Sequence, residues 1–346
     1  MRSRSGAITR RHAGTGGGWA ALAGGWGRVL DSIPPAAGAA VMGTGIVSIG
    51  LTLDGYEMLS RILLVITSLM WVTLAVLVSL RSRRDAERLL RDIQTPSALT
   101  LIAGTAVLGT RLALLGWTWA GSAALVATAV SWALLSRQVL RHWTTPTVGA
   151  SLMLTVSTES LAVLTATLGL LQRSEWLIAV ALVPFALGLC FYVFVIARFD
   201  RRQLAVGHGD QWITGGALAI STLAAGKILA GTEALPTLGG GSGLLRLVTL
   251  GLWALTMLWL PVLLATDLLR PRLSYDVRRW ATVFPVGMYA VCSFVVGAAG
   301  QVEAITSFAR LWIWVAFAVW GVVFVAMIRR GVDRETANAE RATRDA

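Results

Sequence analysis

Few residues of this chain are equipped for chemistry, and three of them carry charge inside long apolar stretches: Arg111, Glu159 and Lys227, the only lysine present. A charge at such a position is costly unless it faces protein or water, so each marks a path or a buried pair. Arg111, in GTAVLGTRLALLG, and Lys227, in STLAAGKIL, both stand late in their stretches. Each either reaches outward to the membrane surface or turns inward, where the two cations draw anions to an outer mouth. Glu159, in TVSTESLAVL, lies near mid-depth. An ionised carboxylate there repels an anion, so it is protonated, paired with a cation, or turned between helices. A protonated Glu159 is a candidate for coupling protons to solute movement. In VMGTGIVSIG, Val41 to Gly50, the glycines thin one face while Thr44 and Ser48 are free to hydrogen-bond a solute or a neighbouring helix.

The most informative stretch runs from Trp280 to Gly300, WATVFPVGMYAVCSFVVGAAG. It has bilayer-spanning length and no charge, yet carries Pro285 near its start. Proline has no N–H for the carbonyl of Ala281, and hydrocarbon tolerates the loss only where the helix is buried in protein or faces water. Phe284 sets a large ring beside that polar backbone. Two readings follow: the ring fills space between helices, or it plugs a path at the bend.

Other chemistry is not offered. Cys190 and Cys292 stand alone in apolar runs, and no HExxH, GxSxG or Walker pattern occurs, so no metal site, cofactor loop or nucleophile–base set is expected. An intramembrane enzyme would need a histidine at membrane depth, whereas His12, His142 and His208 fall in joints or the tail. The net charge of +12 comes from 29 arginines and one lysine in short clusters between apolar runs. Such clusters set membrane topology, which argues against a nucleic-acid partner.

With 346 residues, 55% hydrophobic and 14% charged, the chain exceeds any single water-soluble core and reads as an all-α integral membrane protein. Ten apolar spans are expected near residues 34–53, 60–80, 97–115, 117–139, 147–171, 175–198, 212–231, 244–268, 281–300 and 305–328. They form a transmembrane domain over 34–328, after a basic arm at 1–33 and before a mixed-charge, unstructured tail at 329–346. Counting both tails and the joints after even spans, with adjoining span ends, puts 24 of the 30 basic residues on one side. Both termini are then cytoplasmic.

Odd spans hold fifteen glycines against four in even spans, while ten tryptophans lie in even spans and only Trp212 in an odd one. Small residues permit close helix approach and tryptophans favour the lipid interface. The expected architecture is therefore five helical hairpins around a central pore, odd helices inner and even helices outer.

VMGTGIVSIG, ALAISTLAAGKIL and LSYDVRRWATVFPVGMY resemble the tellurite-resistance/dicarboxylate transporter family, to which slow-type plant anion channels also belong. The resemblance runs from about residue 34 to 330. It implies ten helices in five hairpins about a pore that a phenylalanine of the ninth helix occludes, here Phe284. It also implies passage of chloride, nitrate, sulfite or C4-dicarboxylates, and a homotrimer in the plasma membrane. The chain departs at Glu159, where the family pattern carries glutamine, which implies a pH-sensitive or proton-coupled variant.

Overall fold

The computed structural model describes residues 34–206, 209–235, 242–269 and 275–344. The expected arm at 1–33 lies outside them. Among the described residues, ten helices are long and apolar enough to cross a membrane. They are α1 (Gly38–Leu53), α2 (Glu57–Arg84), α3 (Thr100–Leu114), α4 (Thr118–Arg141), α5 (Met153–Leu171), α6 (Glu175–Ile196), α7 (Trp212–Ala234), α8 (Ser242–Leu269), α9 (Trp280–Gly300) and α10 (Glu303–Arg344). Short 3-10 turns precede α1, α3, α5 and α9. No strand occurs among the described residues.

Burial separates the helices by parity. Between 67% and 89% of the most apolar stretch of each odd helix is buried, against 17% to 28% for each even helix. Each odd helix packs on the even helix that follows it, and the odd helices also touch one another in a closed cycle, α1 to α3, α5, α7, α9 and back to α1. Glycine makes the closest approaches possible. A methyl group on Gly287 of α9 would stand 2.6 Å from Cγ2 of Ile46 of α1, and one on Gly216 of α7 would stand 2.7 Å from Cγ of Pro285.

Tryptophans of the even helices fasten the cycle from outside. The indole N–H of Trp71 in α2 donates to Thr105 Oγ1 of α3 at 2.9 Å, and that of Trp132 in α4 to Thr158 Oγ1 of α5 at 2.9 Å. Trp253 in α8 donates to Ser293 Oγ of α9 at 2.9 Å, and Trp320 in α10 to Thr44 Oγ1 of α1 at 3.1 Å. Each link runs from an even helix to the next odd one, and Trp320 joins the last helix to the first. A buried indole N–H needs a partner, and short hydroxyls supply it without widening the contact.

One expectation changes at the C-terminus. The tail expected to be unstructured continues α10 to Arg344. Ala, Glu and Arg, which dominate 334–344, are strong helix formers, so a helix already nucleated in the membrane propagates through them.

Candidate functional site

Two cavities lie within the cycle of odd helices. The larger, about 320 Å³, is at their N-terminal ends, and every odd helix contributes to it: Met42 from α1, Thr100 from α3, Met153 from α5, Ile213 from α7, and Ala281 and Phe284 from α9. Gln203, Asp210 and Arg278 add polar groups to its wall. The smaller, about 20 Å³, again takes residues from all five helices, including Ile46, Thr110, Ser160, Lys227 and Met288. That is room for about one water. The two cavities share no lining residue.

Phe284 stands where the first cavity ends. Its ring lines that cavity while only 3% exposed, and Met288, one turn on, already belongs to the second. Pro285 packs against Gly216 of α7. Ala281, whose carbonyl would pair with the N–H that Pro285 lacks, also lines the first cavity, and a helix carbonyl without that partner is tolerated where it meets protein or water. One residue beyond the proline, the carbonyl of Val286 accepts the indole N–H of Trp312 of α10 at 3.1 Å. The helix is thus tied to α7 and to α10 at the proline.

The expected charged residues part company. Lys227 lines the second cavity and is the only ionisable residue among the described residues on its wall. Arg111 is 1% exposed and turned away from the axis. Its Nη2 donates to Glu57 Oε1 at 2.9 Å, and its Nε donates to Ser60 Oγ at 2.9 Å and Ser48 Oγ at 3.3 Å. Glu57 also accepts from Arg61 at 2.9 Å and, through Oε2, from Thr52 at 2.9 Å. Arg111 therefore ties α3 to α1 and α2.

Ser48 belongs to that knot. Thr44 accepts from Trp320 and donates to Met70 Sδ at 3.7 Å, so it too faces the outer helices. On α1 it is Ala39, Met42, Ile46, Ile49 and Leu53 that line the cavities. Their spacing of three and four marks one helix face, offset from the face carrying Thr44 and Ser48.

Glu159 sits between α5, α6 and α7. Its Oε1 accepts from Ser221 Oγ of α7 at 2.8 Å, and a methyl group on Gly188 of α6 would stand 2.5 Å from the same oxygen. Its Oε2 is buried without a hydrogen-bond partner. The neighbouring Ser160, not Glu159, lines the second cavity. Glu159 occupies the α6–α7 step, the one step of the cycle that lacks a tryptophan-to-hydroxyl link among the described residues, and it joins α5 directly to α7.

Electrostatics favour anions at the larger cavity. The N-terminus of a helix carries about half a positive elementary charge. Five such ends surround this cavity, whereas the opposite end of the cycle holds five helix C-termini and Lys227. Among the described residues no group of His, Cys, Asp and Glu has the spacing to hold a metal ion.

Comparison with known protein families matches residues 32–328 to the voltage-dependent anion channel family, SLAC1. The chain belongs to that family. It is the tellurite-resistance/dicarboxylate transporter family, whose members are channels and transporters, and the match agrees with a multi-pass membrane protein. Two relatives from different strains of Mycobacterium tuberculosis, each described as an uncharacterized membrane protein, are 34% identical over 122 residues, 34% of this chain. The chain spans 61% of the length of those relatives.

The apolar lining residues are what sequence reading missed. Met42, Ile46, Met288 and Val291 have helical spacing, but each odd helix is apolar nearly all round, so no face stands out in the sequence.

Proposed function

We propose that this SLAC1-family chain passes small anions along the axis enclosed by α1, α3, α5, α7 and α9, and that Phe284 closes the passage. One observation carries the reading: all five odd helices line both cavities, and Phe284 lies between them. Anions enter the larger cavity under the pull of five helix N-termini. They cross when the ring of Phe284 moves aside, and they meet Lys227 in the second cavity. Arg111, Thr44 and Ser48 serve this path indirectly by fixing α1 and α3 against the outer helices. The substrates are chloride, nitrate, sulfite or C4-dicarboxylates. The protein is a homotrimer in the plasma membrane with both termini in the cytoplasm.

Anion flux into proteoliposomes tests the gate. Phe284→Ala raises the flux of chloride and nitrate at least several-fold over the parent protein. An unchanged flux in a variant of normal helicity and elution volume discards it.

The buried, unpartnered Oε2 of Glu159 favours a second reading, in which this oxygen carries a proton and dicarboxylate uptake is proton-coupled. Uptake then rises under an imposed proton gradient, and Glu159→Gln abolishes the rise. Uptake indifferent to the gradient removes this reading and leaves Glu159 as the α5–α7 link.

A further inference from the structure

A groove of about 600 Å³ opens on the outside of the bundle between α2 and α10, floored by the first half of α1. Ala40 and Val41 form the floor, Met70 and Leu77 one wall, and Phe324 and Met327 the other. Among the described residues lining it, only Thr73 is polar. The groove lies within the first, second and tenth membrane spans, so what fills it comes from the bilayer. Along α2 its lining runs from Ile66 to Leu77, roughly 16 Å at 1.5 Å per residue. That is about half of the ~30 Å hydrocarbon core, the depth of one leaflet.

The end of the groove nearer the chain termini is basic. Arg84 lies two turns beyond Leu77 and on the same face of α2; it is exposed and makes no ion pair or side-chain hydrogen bond among the described residues. Arg330, three residues beyond Met327 on α10, is exposed and donates one Nη1 hydrogen to the carbonyl of Tyr275, which leaves the rest of its guanidinium open. Arg83 and Arg329 stand beside them, also exposed. Acids close by in the chain are Asp85, which accepts from the backbone N–H of Arg88 at 2.9 Å, Asp333, one turn further along α10, and Asp276, beside Tyr275, which accepts from the backbone N–H of Arg278 at 3.2 Å.

We propose that this groove holds an acyl chain of an anionic phospholipid from the leaflet on the side of the termini, with the lipid phosphate between Arg84 and Arg330. An apolar slot one leaflet deep that ends in guanidinium groups matches such a lipid in both length and charge. The lipid rests on α1 at Ala40 and Val41, and α1 lines the larger cavity through Ala39 and Met42. Its presence therefore bears on a helix of the anion path, although the lipid site does not depend on the anion reading.

Native mass spectrometry of the full chain in mild detergent, with phosphatidylglycerol or phosphatidylcholine added, tests the site. The parent protein retains phosphatidylglycerol in preference to phosphatidylcholine, and the pair Arg84→Gln with Arg330→Gln weakens that retention roughly 30-fold, two surface arginines' worth. Ala40→Leu, which fills the floor and leaves every charge in place, weakens it too, and decides the matter if the arginine pair does not fold. Arg141→Gln with Arg201→Gln, exposed arginines of other joints, leaves it unchanged. Equal loss in this control pair reduces the effect to unspecific surface charge and overturns the site. So does retention unaffected by Ala40→Leu, or a lipid-free oligomer that Ala40→Leu splits, since a second copy of the chain would then fill the groove.

Discussion

Lys227 lines the second cavity, whereas Arg111, also late in an odd helix, is turned toward Glu57, Ser60 and Ser48. Replacing Lys227 with Met removes the positive charge of that cavity, and anion flux through a Phe284→Ala background falls several-fold while thermal stability stays close to the parent. Replacing Arg111 with Gln acts on folding instead. It breaks a part-buried charged hydrogen bond to Glu57 and buried bonds to Ser48 and Ser60, some of which the Gln amide and solvent replace; one hydrogen bond to a charged group is worth about 1.5–3 kcal/mol. A loss of about 2–3 kcal/mol in unfolding stability is expected, read as a lower melting temperature in detergent. Stability unaffected by Arg111→Gln would mean that the knot contributes little. The type and position of these two residues were legible in the sequence. Their direction was not, because it depends on which neighbour's side chain lies alongside.

At the scale of the helix, Trp71, Trp132, Trp253 and Trp320 each give their one indole N–H to the next odd helix, while Trp312 gives its own back to α9 and Trp259 to Tyr192 of α6. Trp132→Phe leaves the area nearly intact and removes one link, so a cost of about 0.5–1.5 kcal/mol is expected. The α6–α7 step is built differently, with Gly188 making room for the Glu159 carboxyl. Gly188→Ala crowds that carboxyl and costs about 1–3 kcal/mol. Melting of the double variant Gly188→Ala with Glu159→Ser checks the cause, since relief of the clash returns part of the loss. The glycine and tryptophan biases let the sequence sort helices into buried and exposed. They left unassigned which hydroxyl meets which indole, because every odd helix carries several Thr and Ser at similar spacing.

For the whole molecule, protease accessibility or single-cysteine labelling in sealed vesicles is expected to place both ends of the chain on the same side as the joints after α2, α4, α6 and α8. Labelling of the two ends from opposite sides would overturn the topology. By itself the sequence determined the membrane class, the ten spans and their division by parity. Those follow from composition and from properties each helix carries alone: length, apolarity, bulk and the placement of arginine. Only the tertiary structure decided which face of each odd helix looks inward. Helices that are apolar all round carry no facial signal, so Met42 and Ile46 reach the axis while Thr44 and Ser48 turn outward, Glu159 turns toward Gly188, and Phe284 stands between two cavities, all through the packing of neighbours distant in the chain.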